Sequence, residues 1–132
     1  MNKNIKLCIS STGEDLNSNV DPRFGRCNYF LIINPNKMNF ELVLNKNSNA
    51  MGGAGIQTAE LLAKKGADII ITGNVGPNAF KTLKAANIKI ITGVSGNIKT
   101  VLEKYNRGEL KEIEEPSVES HFGMNYKGGR NL

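Results

Sequence analysis

Two short runs, "DIIITG" at 68–73 and "IKIITG" at 88–93, are almost wholly apolar and end on the same Thr-Gly pair. An unbroken apolar run needs cover on both faces, which is the situation of a strand inside a parallel sheet. Between and after them lie "PNAFKTLKAAN" (77–87) and "SGNIKTVLEKYNRG" (95–108). Pro77 suits the first turn of a helix, and Ile98, Val101, Leu102 and Tyr105 recur at i, i+3, i+4 and i+7. The second helix reads as capped by Ser95 and ended by Gly108. Strands joined through crossover helices must run parallel. This half of the chain therefore restricts the whole to an α/β architecture.

The first half supplies the rest of the sheet. "IKLCIS" (5–10) and "NYFLIIN" (28–34) read as strands, separated by a long polar loop, 11–26, that holds Gly13, Pro22 and Gly25. "PNKMN" (35–39) is a turn, and "FELVLN" (40–45) is a strand with Phe40, Leu42 and Leu44 on one face. The last two strands form a hairpin. "GGAGIQTAELLAKKGAD" opens a helix with Ile56, Ala59, Leu62 and Ala63 in phase, and Gly66 stops it. "ELKEI" (109–113) reads as a short extended segment. The order β-β-β-α-β-α-β-α predicts a three-layer α/β/α fold, with a mixed five-stranded sheet ordered 3-2-1-4-5 and strand 2 antiparallel. Residues 1–113 form one domain on this reading. Residues 114–132, with little apolar content and three glycines, read as a flexible tail.

Bulk properties exclude several classes. A chain of 132 residues with 39% apolar content can bury its own core. No apolar run approaches the ~20 residues of a membrane span, and the N-terminus lacks a signal-peptide pattern, so the protein reads as cytoplasmic. Two cysteines, Cys8 and Cys27, and one histidine, His121, are too few for a four-ligand zinc site built only from Cys and His. The net charge of +5 favours anionic partners. No strip of arginines and aromatics marks a nucleic-acid platform.

The predicted topology gathers four connections on one sheet edge: 11–26, 46–55, 74–77 and 94–96. Ligands of α/β sheets bind at the carboxyl ends of the parallel strands. Three of these connections open a helix, whose first N–H groups attract anions. Gly52, Gly53 and Gly55 keep side chains away from one such helix start, and Gly73, Asn74, Gly76 and Pro77 form a second. In "DPRFGRC" (21–27), Arg23 and Arg26 add positive charge, Phe24 walls the site, Gly25 permits close approach, and Cys27 offers a soft thiolate. Each feature has a plainer reading: turn glycines, surface ion pairs to Asp21, Asp15 or Glu14, or a buried apolar cysteine. If Cys27 shares a face with Tyr29 and Leu31, it cannot share one with Phe30.

What is missing narrows the chemistry. No GxxxxGK[ST] motif supports a Walker-type site. Ser10 and Thr72-Gly73, rather than carboxylates, end strands 1 and 4, which argues against a two-metal nuclease. With the only histidine in the tail, no nucleophile–base pair is present. The pattern argues for a binding protein over an enzyme.

"DPRFGRCNYFLI" followed by "GGAGIQTAELLAKKGADIIITGNVGPNAFKTLKAANIKIITG" resembles the dinitrogenase iron–molybdenum cofactor biosynthesis domain family over residues 4–113. The resemblance implies a ribonuclease H-like α/β/α fold. It also implies a carrier or assembly role for anionic metal–sulfur clusters, iron–molybdenum cofactor and its precursors above all, with cluster-donor and acceptor proteins as partners and no catalysis. Many members are small stand-alone domains of anaerobes. Arg23 to Cys27 fall on the family's FGR motif, and Gly52, Gly53, Gly55, Gly73, Asn74, Gly76 and Pro77 on its two glycine-rich helix starts. Nitrogen-fixation members often carry histidine near the FGR segment. Here Arg23 stands in that place, which favours electrostatic capture. The tail "HFGMNYKGG" (121–129) resembles the family's histidine- and methionine-bearing tails, and makes His121 a candidate metal ligand beside Cys27. The same edge also suits a regulatory domain that binds a phosphorylated small molecule or a partner protein.

Overall fold

The structure, a computed structural model, describes residues 4–117. Five strands, β1 (Leu7–Ser11), β2 (Tyr29–Ile33), β3 (Phe40–Leu44), β4 (Ile69–Ile71) and β5 (Lys89–Ile91), form one sheet. Its order is β3-β2-β1-β4-β5. β1 and β4 pair in parallel, as do β4 and β5, while β2 runs antiparallel to both β1 and β3. The mixed order expected from the crossovers is the observed one.

The helices are α1 (Ala54–Lys64), α2 (Pro77–Ala85) and α3 (Ile98–Asn106). Side-chain alternation splits the interior into two layers. Cys8, Phe30, Ile32, Val43, Ile70 and Ile90 pack against Ala59 and Leu62 of α1 and Ala79, Phe80 and Leu83 of α2. Leu7, Ile9, Leu31, Ile33, Ile69, Ile71 and Ile91 face the other way, toward Ile98, Val101 and Leu102 of α3. Two helices therefore cover one face of the sheet and one helix covers the other.

Each helix closes with the same pair of backbone bonds. In α1, Gly66 N–H reaches Ala63 O and Ala67 N–H reaches Leu62 O. Asn87 and Ile88 repeat the pattern in α2, and Gly108 and Glu109 in α3. Gly66, Asn87 and Gly108 take left-handed φ values of 83°, 66° and 75°, which lets the chain turn back while the last carbonyls stay bonded.

Two local expectations are corrected. The cap of α3 is Asn97 rather than Ser95: its Oδ1 accepts the Lys99 N–H at 2.9 Å. The expected face of Phe40, Leu42 and Leu44 exists but is exposed, and Val43 is the inward residue of β3. The "ELKEI" segment does extend the sheet, through an Ile91–Glu112 bridge and an Ile113 N–H to Ile90 O bond. Ser117, whose hydroxyl accepts the Val75 N–H at 2.8 Å, is tied back to the domain. No helix among the described residues is long and apolar enough to cross a membrane.

Candidate anion-binding pocket

The segment 21–27 is fixed from three sides. At the sheet, Ser10 Oγ donates to Asp21 O at 2.7 Å and lies 2.7 Å from Thr72 Oγ1, all buried. The hydroxyls that end β1 and β4 therefore hold this loop. Alongside, Asn74 N–H donates to Pro22 O and Phe24 N–H to Asn74 O, so the segment runs parallel to 73–75 as a one-bridge strand. From the far side, Asn45 donates through Nδ2 to Gly25 O at 3.2 Å and Cys27 O at 2.9 Å. Its Oδ1 accepts from Asn47 N–H and from the Thr58 hydroxyl of α1. Asn45 and Thr58 are buried, and their hydrogen bonds satisfy one another.

This arrangement leaves a pocket of about 590 Å³ between 22–26 and the starts of α1 and α2. Of the residues singled out in the sequence, Arg23, Phe24, Gly25, Arg26, Gly53, Gly55, Asn74, Gly76 and Pro77 line it. Gly52 and Gly73 do not. Gly52 is exposed on the preceding loop, and Gly73 is buried against Pro22. His121 lies outside the described residues. Pro22, Ala54, Ile56, Asn78 and Ala79 complete the wall. For Ala54, Ile56, Asn78 and Ala79 the signal that could have included them was their place in the first turns of the two helices, and for Pro22 its place beside Arg23.

The helix ends give the pocket its polarity. Neither Gly53, the cap of α1, nor Gly76, the cap of α2, offers a side-chain acceptor, and neither first turn holds an acid. The first intrahelical bonds start at Gln57 N–H and Phe80 N–H. The N–H groups of Ala54, Gly55, Ile56, Asn78 and Ala79 precede them, and all five residues line the pocket. Two helix dipoles thus present their positive ends to one space. The third expected helix start does not contribute. α3 lies on the opposite face, its Ile98 N–H bonds Ser18 O, and Gly96 O accepts from Val20 N–H.

The two arginines have different surroundings. Arg23 forms a forked pair with Asp21, Nε to Oδ1 and Nη2 to Oδ2, both at 3.2 Å. That pair raises the Arg23 pKa and offsets its charge. Arg26 instead donates Nη1 to Ser48 O at 3.2 Å and Ala50 O at 2.6 Å. It clamps the 45–50 loop and stands at the rim without an acid among the pocket-lining residues.

Cys27 is corrected from tentative metal ligand to core residue. Its side chain is fully buried in the same apolar layer as Phe24 and Phe30, and Sγ donates to Phe24 O at 3.4 Å. Burial pushes its pKa from 9.0 up to about 12, helped by nearby Asp21. Cys27 thus shares its layer with Phe30 and not with Leu31, although simple parity would pair it with Leu31, because β2 begins only at Tyr29. Phe24 is also mostly core, edge-on to Phe30 with ring centroids 5.6 Å apart. Among the described residues, no group of three or more His, Cys, Asp or Glu side chains could hold a metal ion.

The family model for the dinitrogenase iron–molybdenum cofactor matches residues 5–108, which takes in every strand, every helix and the whole pocket. The chain belongs to the dinitrogenase iron–molybdenum cofactor family. Similar members of known structure include the apo form of the orange protein from Desulfovibrio gigas. It is 34% identical, with a TM-score of 0.82 over 85% of this chain and 95% of that one. A provisionally assigned NifB protein from Thermotoga, of the DUF35 family, is 37% identical, with a TM-score of 0.71 over 82% and 92% of the two chains. An uncharacterized protein of Methanocaldococcus jannaschii is 32% identical over 86% of this chain and all of its own length. The orange protein thus shares the α/β fold described above.

Proposed function

We propose that the chain is a non-enzymatic carrier or assembly protein that holds an anionic metal–sulfur cluster, of the iron–molybdenum cofactor or thiometallate type, in the pocket beside 22–26. The observation that carries this reading is the convergence of two uncapped helix starts and Arg26 on one space whose lining holds no carboxylate. Membership of the cofactor family supplies the class of cargo, and a relative solved in its apo form has a ligand to lose.

The donor set fits such a cargo through its outer atoms. Backbone N–H groups and guanidinium N–H groups bond terminal sulfide or oxide ligands, as they bond other anions. Gly53, whose missing Cβ leaves open space, lets a bulky anion approach those N–H groups closely. Among the described pocket residues none supplies a thiolate, imidazole or carboxylate to the metal itself. His121 is the candidate for that role, four residues beyond Ser117. Cluster-donor and acceptor proteins are the partners this role calls for.

The same donors would also bind phosphate, so the ligand class is what a test must resolve. Thermal-shift measurements against tetrathiomolybdate, nucleotides and sugar phosphates separate the two. A shift with thiomolybdate and none with the phosphates supports the carrier reading. A shift with a nucleotide and none with thiomolybdate replaces it with a phosphate-ligand regulatory domain.

A further inference from the structure

The large apolar side chains exposed among the described residues are Met38, Phe40, Leu42, Leu44 and Met51, all on β3 or the loops flanking it. Phe40, Leu42 and Leu44 are 40%, 37% and 60% exposed. They stand opposite Ile33, Leu31 and Tyr29 and so continue the α3-side face of the sheet beyond the area that α3 covers. Scattered exposed apolar residues need no explanation, but a contiguous row of them marks a contact surface.

The backbone of β3 says what kind of partner fits. Asn45 N–H bonds Asn28 O and Asn34 N–H bonds Asn39 O, which fixes the alternation of the β2–β3 ladder. Residues in the same phase, Glu41 and Val43, exchange bonds with Ile32 and Phe30. The N–H and C=O groups of Phe40, Leu42 and Leu44 consequently point away from β2. β3 ends the sheet order, so they point to its open edge. Several protections of an open edge are missing among the described residues: "FELVL" contains no Lys and no Pro, and its register with β2 has no bulge.

The strand is also complementary to itself. An antiparallel copy centred on Leu42 sets Leu42 opposite Leu42, and Phe40 opposite Leu44 twice. Those are the residues whose backbone groups face the open edge, so each of the three pairs can exchange both of its bonds. On the α3 side, six large apolar side chains meet in one row. On the other side, Glu41, the only charged residue of the strand, falls opposite Val43 of the second copy, so no like charges are opposed. Lys65 already pairs with Glu41 at 3.2 Å and leaves the edge free.

We propose that β3 pairs with β3 of a second copy about a two-fold axis at Leu42, giving a homodimer with one continuous ten-stranded sheet. The pockets lie away from this edge, on the α1 and α2 starts, so dimerisation leaves both open.

Sedimentation of the full chain between about 1 μM and 1 mM tests the proposal, since this range spans ordinary weak-to-moderate association. The wild type should shift from one chain to two as concentration rises. Leu42→Lys opposes two like charges and should hold the chain monomeric, weakening association at least tenfold. Leu42→Pro should do the same through the backbone, because it removes only an outward N–H. The register itself is read by disulfide trapping. Opposed Cα atoms of a bonded antiparallel pair are about 5.5 Å apart, within disulfide range. Leu42→Cys should cross-link to a dimer on oxidation, and Glu41→Cys should not. A wild type that stays monomeric throughout, a dimer unaffected by Leu42→Lys, or equal cross-linking by both cysteine variants would overturn the proposal.

Discussion

A methyl group placed on Gly25 would lie 2.9 Å from both the backbone nitrogen and the Cα of Gly55. The loop that carries the arginines and the first turn of α1 are therefore in backbone contact, and Gly25 cannot bear a side chain without parting them. Gly55 is itself tight, since its own Cβ would come 3.1 Å from Ala79 Cβ of α2. The pocket floor is a stack of three small residues from three elements.

Gly25→Ala should consequently destabilise the fold by about 1–3 kcal/mol, the usual cost of overpacking, and weaken ligand binding at the same time. Equilibrium urea unfolding reads the first effect and thiomolybdate titration the second. Gly52→Ala is the matched control. Its Cβ would meet nothing within 4 Å, so both measurements should stay at wild-type values.

Asn45→Ala should cost about 1–3 kcal/mol, because it strips the donor from two carbonyls, Gly25 O and Cys27 O, in a buried setting. Hydrogen exchange should rise in 24–28 and in the first turns of α1, while β4 and β5 stay protected. Uniform loss of protection would mean that Asn45 supports the whole fold rather than this loop.

The sheet order was legible because few topologies satisfy two crossovers and a hairpin. The pocket was partly legible for the same reason: topology brought 21–27 and the starts of α1 and α2 together. Alternation placed Phe40, Leu42 and Leu44 on one face, but periodicity does not say which face a helix will cover. Asn45 and Thr58 were missed because a polar residue in a polar stretch gives no hint that it will be buried. Cys27 was undecided because parity holds only within a strand, and the strand starts two residues later.

The buried thiols make the fold sensitive to alkali. Cys8 and Cys27 both have pKa values pushed from 9.0 to about 12 by burial. Above pH 9 the unfolded chain loses these protons while the folded chain keeps them. Their contribution is thus fully present below pH 9 and declines between about pH 9 and 12, by about 1.4 kcal/mol per pH unit per thiol. Stability measured from pH 8 to 11 in Cys27→Ala should show a shallower decline than in the wild type. Equal slopes would mean that the Cys27 thiol is not protected by the fold.

Arg26 and Arg23 should differ as binding residues. Arg26→Gln removes the rim charge without a paired acid and should weaken thiomolybdate binding about tenfold, with a smaller dependence on ionic strength. Arg23→Gln strips the buried Asp21 carboxylate of its guanidinium partner, leaving it the Arg23 backbone N–H, and should reduce affinity through the uncompensated negative charge behind the pocket wall. The double change Arg23→Gln with Asp21→Asn should recover most of that loss. Calorimetric titration at two salt concentrations distinguishes these outcomes.

The most direct measurement is anaerobic reconstitution of the full chain with iron, sulfide and molybdate, followed by desalting and metal analysis. The expected result is visible absorption together with metal and sulfide retained in fixed ratio to protein, strongly reduced in Arg26→Gln and unchanged in Cys27→Ala. A desalted protein that is colourless and carries no more metal than an unrelated control protein would contradict the carrier function.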